Sequence, residues 1–420
     1  MSEAFLNFLT VLPEENMRKE LIKAFLLHYG VSTDAVSLVR VPLPVTVMGG
    51  YTEYGSGKVL GAALNRYLYL LIRKRSDSTA AYYDLRSFSE KAHSLSDIQS
   101  NQAGHSYAAC FNTVITAFEH NGLHCDAGFE LLIFNNFPID YDIFSSSALK
   151  TGFAQALIEA FQFSVEPLAL AKMEQPALEI TEKSEIPEST ANHDIPYETT
   201  HRISLVMGKR DHMLLTDPAA YEYSTIQLPS NEYACVMMRP HIRTLFFTKH
   251  FYEQHHACMD AFHMLQQEKK IQNLCDVTEA DISWLETEQQ QEQTVKQLRY
   301  WVSEQERVQQ AAAALREGDF VSFGRCMREG QAALQTLYGI GEQPLTLLAD
   351  TSNAHAACLG ACIARSEAEA CVIAFVSKHM LEDFIGQIKK QYTEQTGYAP
   401  SLLLCSISDG IKKQKPEVAE

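Results

Sequence analysis

Apolar positions recur at helical spacing through residues 15–29, and then the period changes. Val39, Val41, Val45 and Val47 alternate as in a strand, interrupted by Pro42 and Pro44. Residues 59–75 read as a small-residue helix start running into a very apolar strand, YLYLLIRKR. A helix is predicted over 107–121 and a strand, FELLIF, over 129–134. Ser145, Ser146 and Ser147 then precede a helix reaching about Phe163, whose Leu149, Phe153, Ala156, Leu157, Ala160 and Phe161 share one face. Serines at such a junction cap the helix, and a helix N-terminus attracts anions.

Residues 174–194, EQPALEITEKSEIPESTANHD, break the pattern. They are acidic, contain Pro176 and Pro187, lack aromatic residues and read as a flexible connector. Beyond them, strands are predicted at 203–206, 212–215 and 234–238, and long helices through 250–340. A strand at 370–376, a helix at 381–395 and a strand at 402–405 complete the pattern. No internal repeat is visible. Strands and helices mixed in this way point to an α+β protein. A chain of 420 residues suggests two lobes sharing a cleft, with an N-terminal lobe over 1–173, the connector over 174–194 and a C-terminal lobe over 195–420.

Composition narrows the function classes. Hydrophobic residues make up 46% and charged residues 21%, so the core is ample. The net charge of −17 opposes binding to nucleic acid or to an anionic membrane. No apolar run approaches the roughly 18 residues of a membrane span, and the first residues lack a secretory pattern. Ten cysteines without a CxxC read as reduced thiols of a cytoplasmic protein. Cys358 and Cys362, one helical turn apart in an Ala-rich stretch, read as buried small residues. His250, His255, His256, Cys258 and His263 form a cluster with spacing that would suit zinc, and the alternative is an ordinary His-rich amphipathic helix.

Several segments, in order, resemble galactokinase and the GHMP sugar-kinase family. GGYTEYGSGKVL (49–60) is similar to the family's Gly-Glu-His-Thr-Asp-Tyr loop. AGFELLIFNNFPIDYDIFSSSAL (127–149) is similar to its strand and serine-rich phosphate loop, and IPYETTHRISLVMGKRDHMLLTD (195–217) to its Met-Asp-Gln segment and the strand after it. The stretches 298–308, 316–340 and 396–410 look like the family's C-terminal half. The resemblance implies a two-lobed GHMP-kinase fold with mixed sheets, packed helices and a cleft between the lobes. It also makes the His-rich stretch an ordinary family helix, so no metal is expected.

What the resemblance implies about chemistry is largely undone at the matching positions. The family's acid, which orients the attacking hydroxyl, falls on His201, and its charge-neutralising arginine falls near Pro44, which has no charge. The loop positions that hold the sugar fall on Gly50, Tyr51 and Glu53, and a sugar-contacting tyrosine falls on Phe251, which lacks the hydroxyl. The glycines before the phosphate loop are replaced by Tyr141-Asp142-Ile143-Phe144, leaving Ser145, Ser146 and Ser147. A late glycine loop becomes GACIARSEAEACVIAFV, in which Arg365, Glu367, Glu369 and Ala370 replace the inner glycines. That stretch reads as a strand or helix rather than a loop.

The expectation is a pseudokinase that binds a small sugar-like ligand or a protein partner, with no cofactor. The rival is a divergent ATP-dependent sugar kinase using Mg-ATP, His201 as base and Arg202 or Lys150 as the phosphate cation. A structural subunit pairing with an active kinase is a third reading.

Overall fold

The computed structural model describes residues 9, 12–31, 35–53, 57–100, 107–137, 147–173, 197–228, 232–244, 249–269, 271, 276–288, 292–339, 343–366 and 369–414. In chain order the first half comprises α1 (Glu14–Tyr29), β1 (Ser37–Met48), β2 (Val59–Lys74), β3 (Thr79–Asp84), β4 (Ser89–Ser94), α2 (Leu95–Ser100), α3 (Tyr107–His120), β5 (Phe129–Asn135), α4 (Ser147–Phe161) and α5 (Pro167–Lys172). The second half comprises α6 (Tyr197–Met207), β6 (His212–Asp217), β7 (Glu222–Gln227), β8 (Tyr233–Arg239), α7 (Lys249–Glu268), α8 (Glu279–Thr287), α9 (Glu292–Glu317) and α10 (Phe320–Ala333). It ends with α11 (Gln343–Ala354), β9 (Cys358–Ser366), β10 (Glu369–Ser377), α12 (Leu381–Thr396), β11 (Ser401–Cys405) and β12 (Lys412–Gln414). The connector over 174–194 lies outside the described residues.

Among the described residues the strands form one mixed sheet in the order β11-β8-β10-β9-β1-β2-β5-β3-β4, with β12 on β1, β6 on β2 and β7 on β6. The β3–β5 pair is parallel and the other pairs are antiparallel. The two stretches of this sheet meet at one residue pair, Thr46 on β1 opposite Arg365 on β9. A large core fills the β1–β2–β5 side with Val41, Leu70, Phe111, Phe129 and Phe153. A second core, with Trp301, Tyr338, Val372 and Tyr392, packs the helices of the C-terminal half on β8–β10.

Three expectations need correction. Residues 59–65 form no helix start, because β2 runs unbroken for 16 residues and its first residues pair with both β1 and β6. Residues 203–206 are helical, within α6: a short apolar run carries no period of its own, and Ile203 and Leu205 reach the core from a helix. Pro42 and Pro44 do not break β1, which spans 12 residues. On its flank away from β2, β1 is paired, among the described residues, at 38–40 and 46, so both prolines fall where no described strand requires an N–H. Cys358 and Cys362 are buried as expected, but on a strand rather than a helix. The stretch that replaces the late glycine loop is the β9–β10 hairpin.

Candidate functional site

The loop after β1 is strapped to α9. Gly49 adopts φ +82°, and a side chain there would meet Lys58 O at 2.6 Å, so the turn needs glycine. Gly49 O accepts from the Thr52 and Glu53 amides at 3.0 and 3.1 Å. From α9, Gln305 Nε2 donates to Thr52 Oγ1 at 2.5 Å and to Lys58 O at 3.1 Å, while its Oε1 accepts from Lys58 N at 2.6 Å. Glu304 Oε1 accepts from Gly49 N at 3.3 Å. Glu304 and Gln305 sit one helical turn beyond Tyr300 and Trp301 on the buried stripe of α9, which is why two polar residues point inward.

The strap turns Glu53 into the interior. Its Oε2 accepts from Arg365 Nη2 at 2.6 Å, with both side chains 0% exposed. Its Oε1 accepts from the Thr200 hydroxyl of α6. Arg365 faces Thr46 across the β1–β9 pair, and the same Nη2 donates to Thr46 Oγ1 at 3.3 Å. That hydroxyl lies 3.3 Å from His201 Nε2. Next door, Ser366 Oγ donates to Pro44 O at 2.8 Å. Four segments thus converge on one buried polar cluster. Burial raises the Glu53 carboxyl above its ordinary pKa, against the opposing pull of Arg365 and Thr200. Burial likewise raises Glu304, although Arg307 Nε donates to its Oε2 at 2.9 Å.

A cavity of ≈ 20 Å³, about the volume one water needs, lies beside this cluster. Gly50, Tyr51, Tyr300, Glu304, Gln331 and Arg365 are among its lining residues. Tyr51 is buried, its ring 5.3 Å from that of Tyr338 and 6.4 Å from that of Tyr300. Gln331 Oε1 accepts from Ile363 N at 2.8 Å, while its Nε2, also buried, meets no hydrogen-bond partner among the described residues.

Of the residues singled out from the sequence, Glu53 and His201 meet through Thr200, Thr46 and Arg365, and Pro44 lies on the same strand. Gly50 and Tyr51 line the cavity. Ser147 begins α4 and is buried, whereas Ser145, Ser146 and the side chain of Phe251 lie outside the described residues. Lys150 is buried in α4, and Arg202 donates to Met173 O at 3.0 Å and Thr199 Oγ1 at 3.3 Å. Cys258 of the His-rich stretch is buried on α7 beside Gln297. Sequence reasoning missed Arg365 as a site residue, and with it Thr46, Thr200, Glu304 and Gln305. One signal for Arg365 was present: a lone cation inside the apolar strand ACIARS implies a buried partner.

No family model matches the chain. It is 27% identical over 376 residues to a galactokinase of Staphylococcus carnosus, covering 88% of this chain and 93% of that protein. It is also 27% identical over 394 residues to one of Roseiflexus sp., covering 93% and 96%. Among solved structures, Lactococcus lactis galactokinase complexed with galactose superposes with a TM-score of 0.83 at 21% identity, over 94% of this chain and 99% of that one. Methanococcus jannaschii mevalonate kinase gives 0.59 at 13% identity, over 89% and 98%.

Proposed function

Since the chain is a divergent galactokinase homologue with the GHMP-kinase fold, we propose that it has lost phosphotransfer and acts as a binding or regulatory protein. The observation that carries this reading is the sealed Glu53–Arg365 pair. A sugar kinase must present charged groups to its substrate, and here the carboxylate at a sugar-holding position is spent on an internal guanidinium at zero exposure. Tyr51, at another such position, is packed against Tyr300 and Tyr338, and the adjoining cavity has room for about one water. The family's acid is replaced by His201 and its arginine by Pro44. A general base contributes roughly 10²–10⁴ in rate and a charge-stabilising group a similar order, so losing both leaves little to stabilise a transition state.

Thermal unfolding with Mg-ATP, ADP and a panel of hexoses tests the reading. A ligand at 100 times its Kd adds about 2.7 kcal/mol, so an unchanged Tm with every nucleotide is expected. A clear rise with Mg-ATP would contradict it.

One observation favours a second reading. His201 and Arg365 share the Thr46 hydroxyl, which places an imidazole next to a cation. On that reading the chain is a divergent ATP-dependent sugar kinase with His201 as base. Turnover abolished by His201→Ala would establish it.

A further inference from the structure

The groups around the Glu53 carboxylate are all suited to hold an anion. Arg365 Nη2 and the Thr200 hydroxyl each grip one of its oxygens, and Thr46 braces the guanidinium from behind. These groups belong to β1, β9 and α6, so the receptor is built independently of the loop that carries Glu53. The carboxylate is therefore separable from the site that holds it. The adjoining cavity has Arg365 in its wall, and it adds the buried Gln331 Nε2 donor without a partner. Its acceptor, Glu304, is already engaged by Gly49 N and Arg307. A ligand rich in acceptors suits these donors. Taking Glu53 away would remove the carboxylate that accepts from Arg365 and Thr200, while Arg307 stays with Glu304.

We propose that Arg365, Thr46 and Thr200 form a carboxylate receptor, filled by the chain's own Glu53, which a small hydroxylated carboxylic acid enters by displacing that side chain. The carboxylate of the ligand takes the Arg365 and Thr200 contacts, and a hydroxyl oxygen accepts from Gln331 Nε2. The inference deepens the binding reading above and rests on it only in treating this cluster as a ligand site.

Glu53→Ala tests it, because the atoms removed correspond to acetate. The variant unfolds at a lower temperature than the wild type, and acetate raises its Tm by about 3 °C or more at saturation, in a concentration-dependent manner. Acetamide, the neutral molecule of the same shape, and sodium chloride at equal ionic strength give no such rise. In the wild type, glycolate raises the Tm where ethylene glycol, its uncharged counterpart, does not. Equal responses to acetate and acetamide would overturn the proposal, as would a wild type indifferent to glycolate. Should Glu53→Ala be insoluble, Glu53→Ser clears the same space beside Arg365, and the same selective response to acetate is expected. Failure of both variants to fold even in acetate would also overturn it. These outcomes are independent of phosphotransfer: turnover with Mg-ATP would refute the functional reading and leave the carboxylate receptor standing.

Discussion

At the scale of single residues, the account turns on a carboxylate and a guanidinium held away from water. Removing one member of a buried pair leaves the other uncompensated, so Arg365→Ala should destabilise the protein by about 3–5 kcal/mol in urea unfolding. Replacing both members, as in Glu53→Met with Arg365→Met, should cost far less than the single change, since desolvation of the two charges is relieved together. A double variant as unstable as the single would mean that the residues matter for shape and not for charge. Glu304 gives a pH signature. Its carboxyl is raised in the folded state, so between about pH 4.3 and that raised value the folded state holds more protons than the unfolded chain. Its contribution is full at acid pH and is lost as pH rises through the folded value. The Tm difference, wild type minus Glu304→Gln, should therefore fall as pH rises from the ordinary carboxylate range through the raised folded value. A flat difference would show that Arg307 compensates the carboxylate fully.

At the scale of elements, α9 and α10 position the site although neither contributes a residue to the Glu53–Arg365 pair. Gln305 of α9 satisfies groups on both sides of the loop, and Gly49 gives the loop its left-handed turn. Gly49→Ala should cost about 1–2 kcal/mol or more, because it adds a strained φ and a clash with backbone. α10 crosses β9 glycine to glycine: a Cβ on Gly324 would lie 2.2 Å from Leu359 O, and one on Gly360 would lie 2.3 Å from Gly324 O. Gly324→Ala should push β9 outward and carry Arg365 with it, costing about 1–3 kcal/mol and strengthening the response to acetate in a Glu53→Ala background. Much of this layer was legible in the sequence. β5, β8, β10, α3, α4 and α12 follow from apolar period and length. α6 did not, because its short apolar run sits among Thr200, His201 and Ser204, and only packing on β1 and β2 decides that it is helical. The loop's shape could be read from GGYTEYGSGK, but its partners could not: Gln305 lies 253 residues from Thr52 and Arg365 lies 312 from Glu53. Local pattern carries no information about such pairings.

At the scale of the whole molecule, the sheet joins the N-terminal strands to the C-terminal ones at Thr46 and Arg365, where the resemblance places the chemistry. The chain keeps the fold of the galactokinase it superposes on, and at this junction Glu53 and Arg365 pair with each other in the interior. On the proposed reading, the positions the resemblance gives to catalysis fall on His201 and Pro44, and the structure places both beside the Glu53–Arg365 pair. Among the described residues no helix is long and apolar enough to cross a membrane. The most direct measurement of the central claim is transfer of the labelled γ-phosphate of Mg-ATP to galactose and a panel of other hexoses, at high enzyme concentration, beside an active galactokinase. The account predicts no sugar phosphate above the protein-free background, with wild type and His201→Ala indistinguishable. Sugar phosphate formed by the wild type and lost in His201→Ala would contradict it, and would make the Thr46–His201–Arg365 cluster the centre of a working kinase.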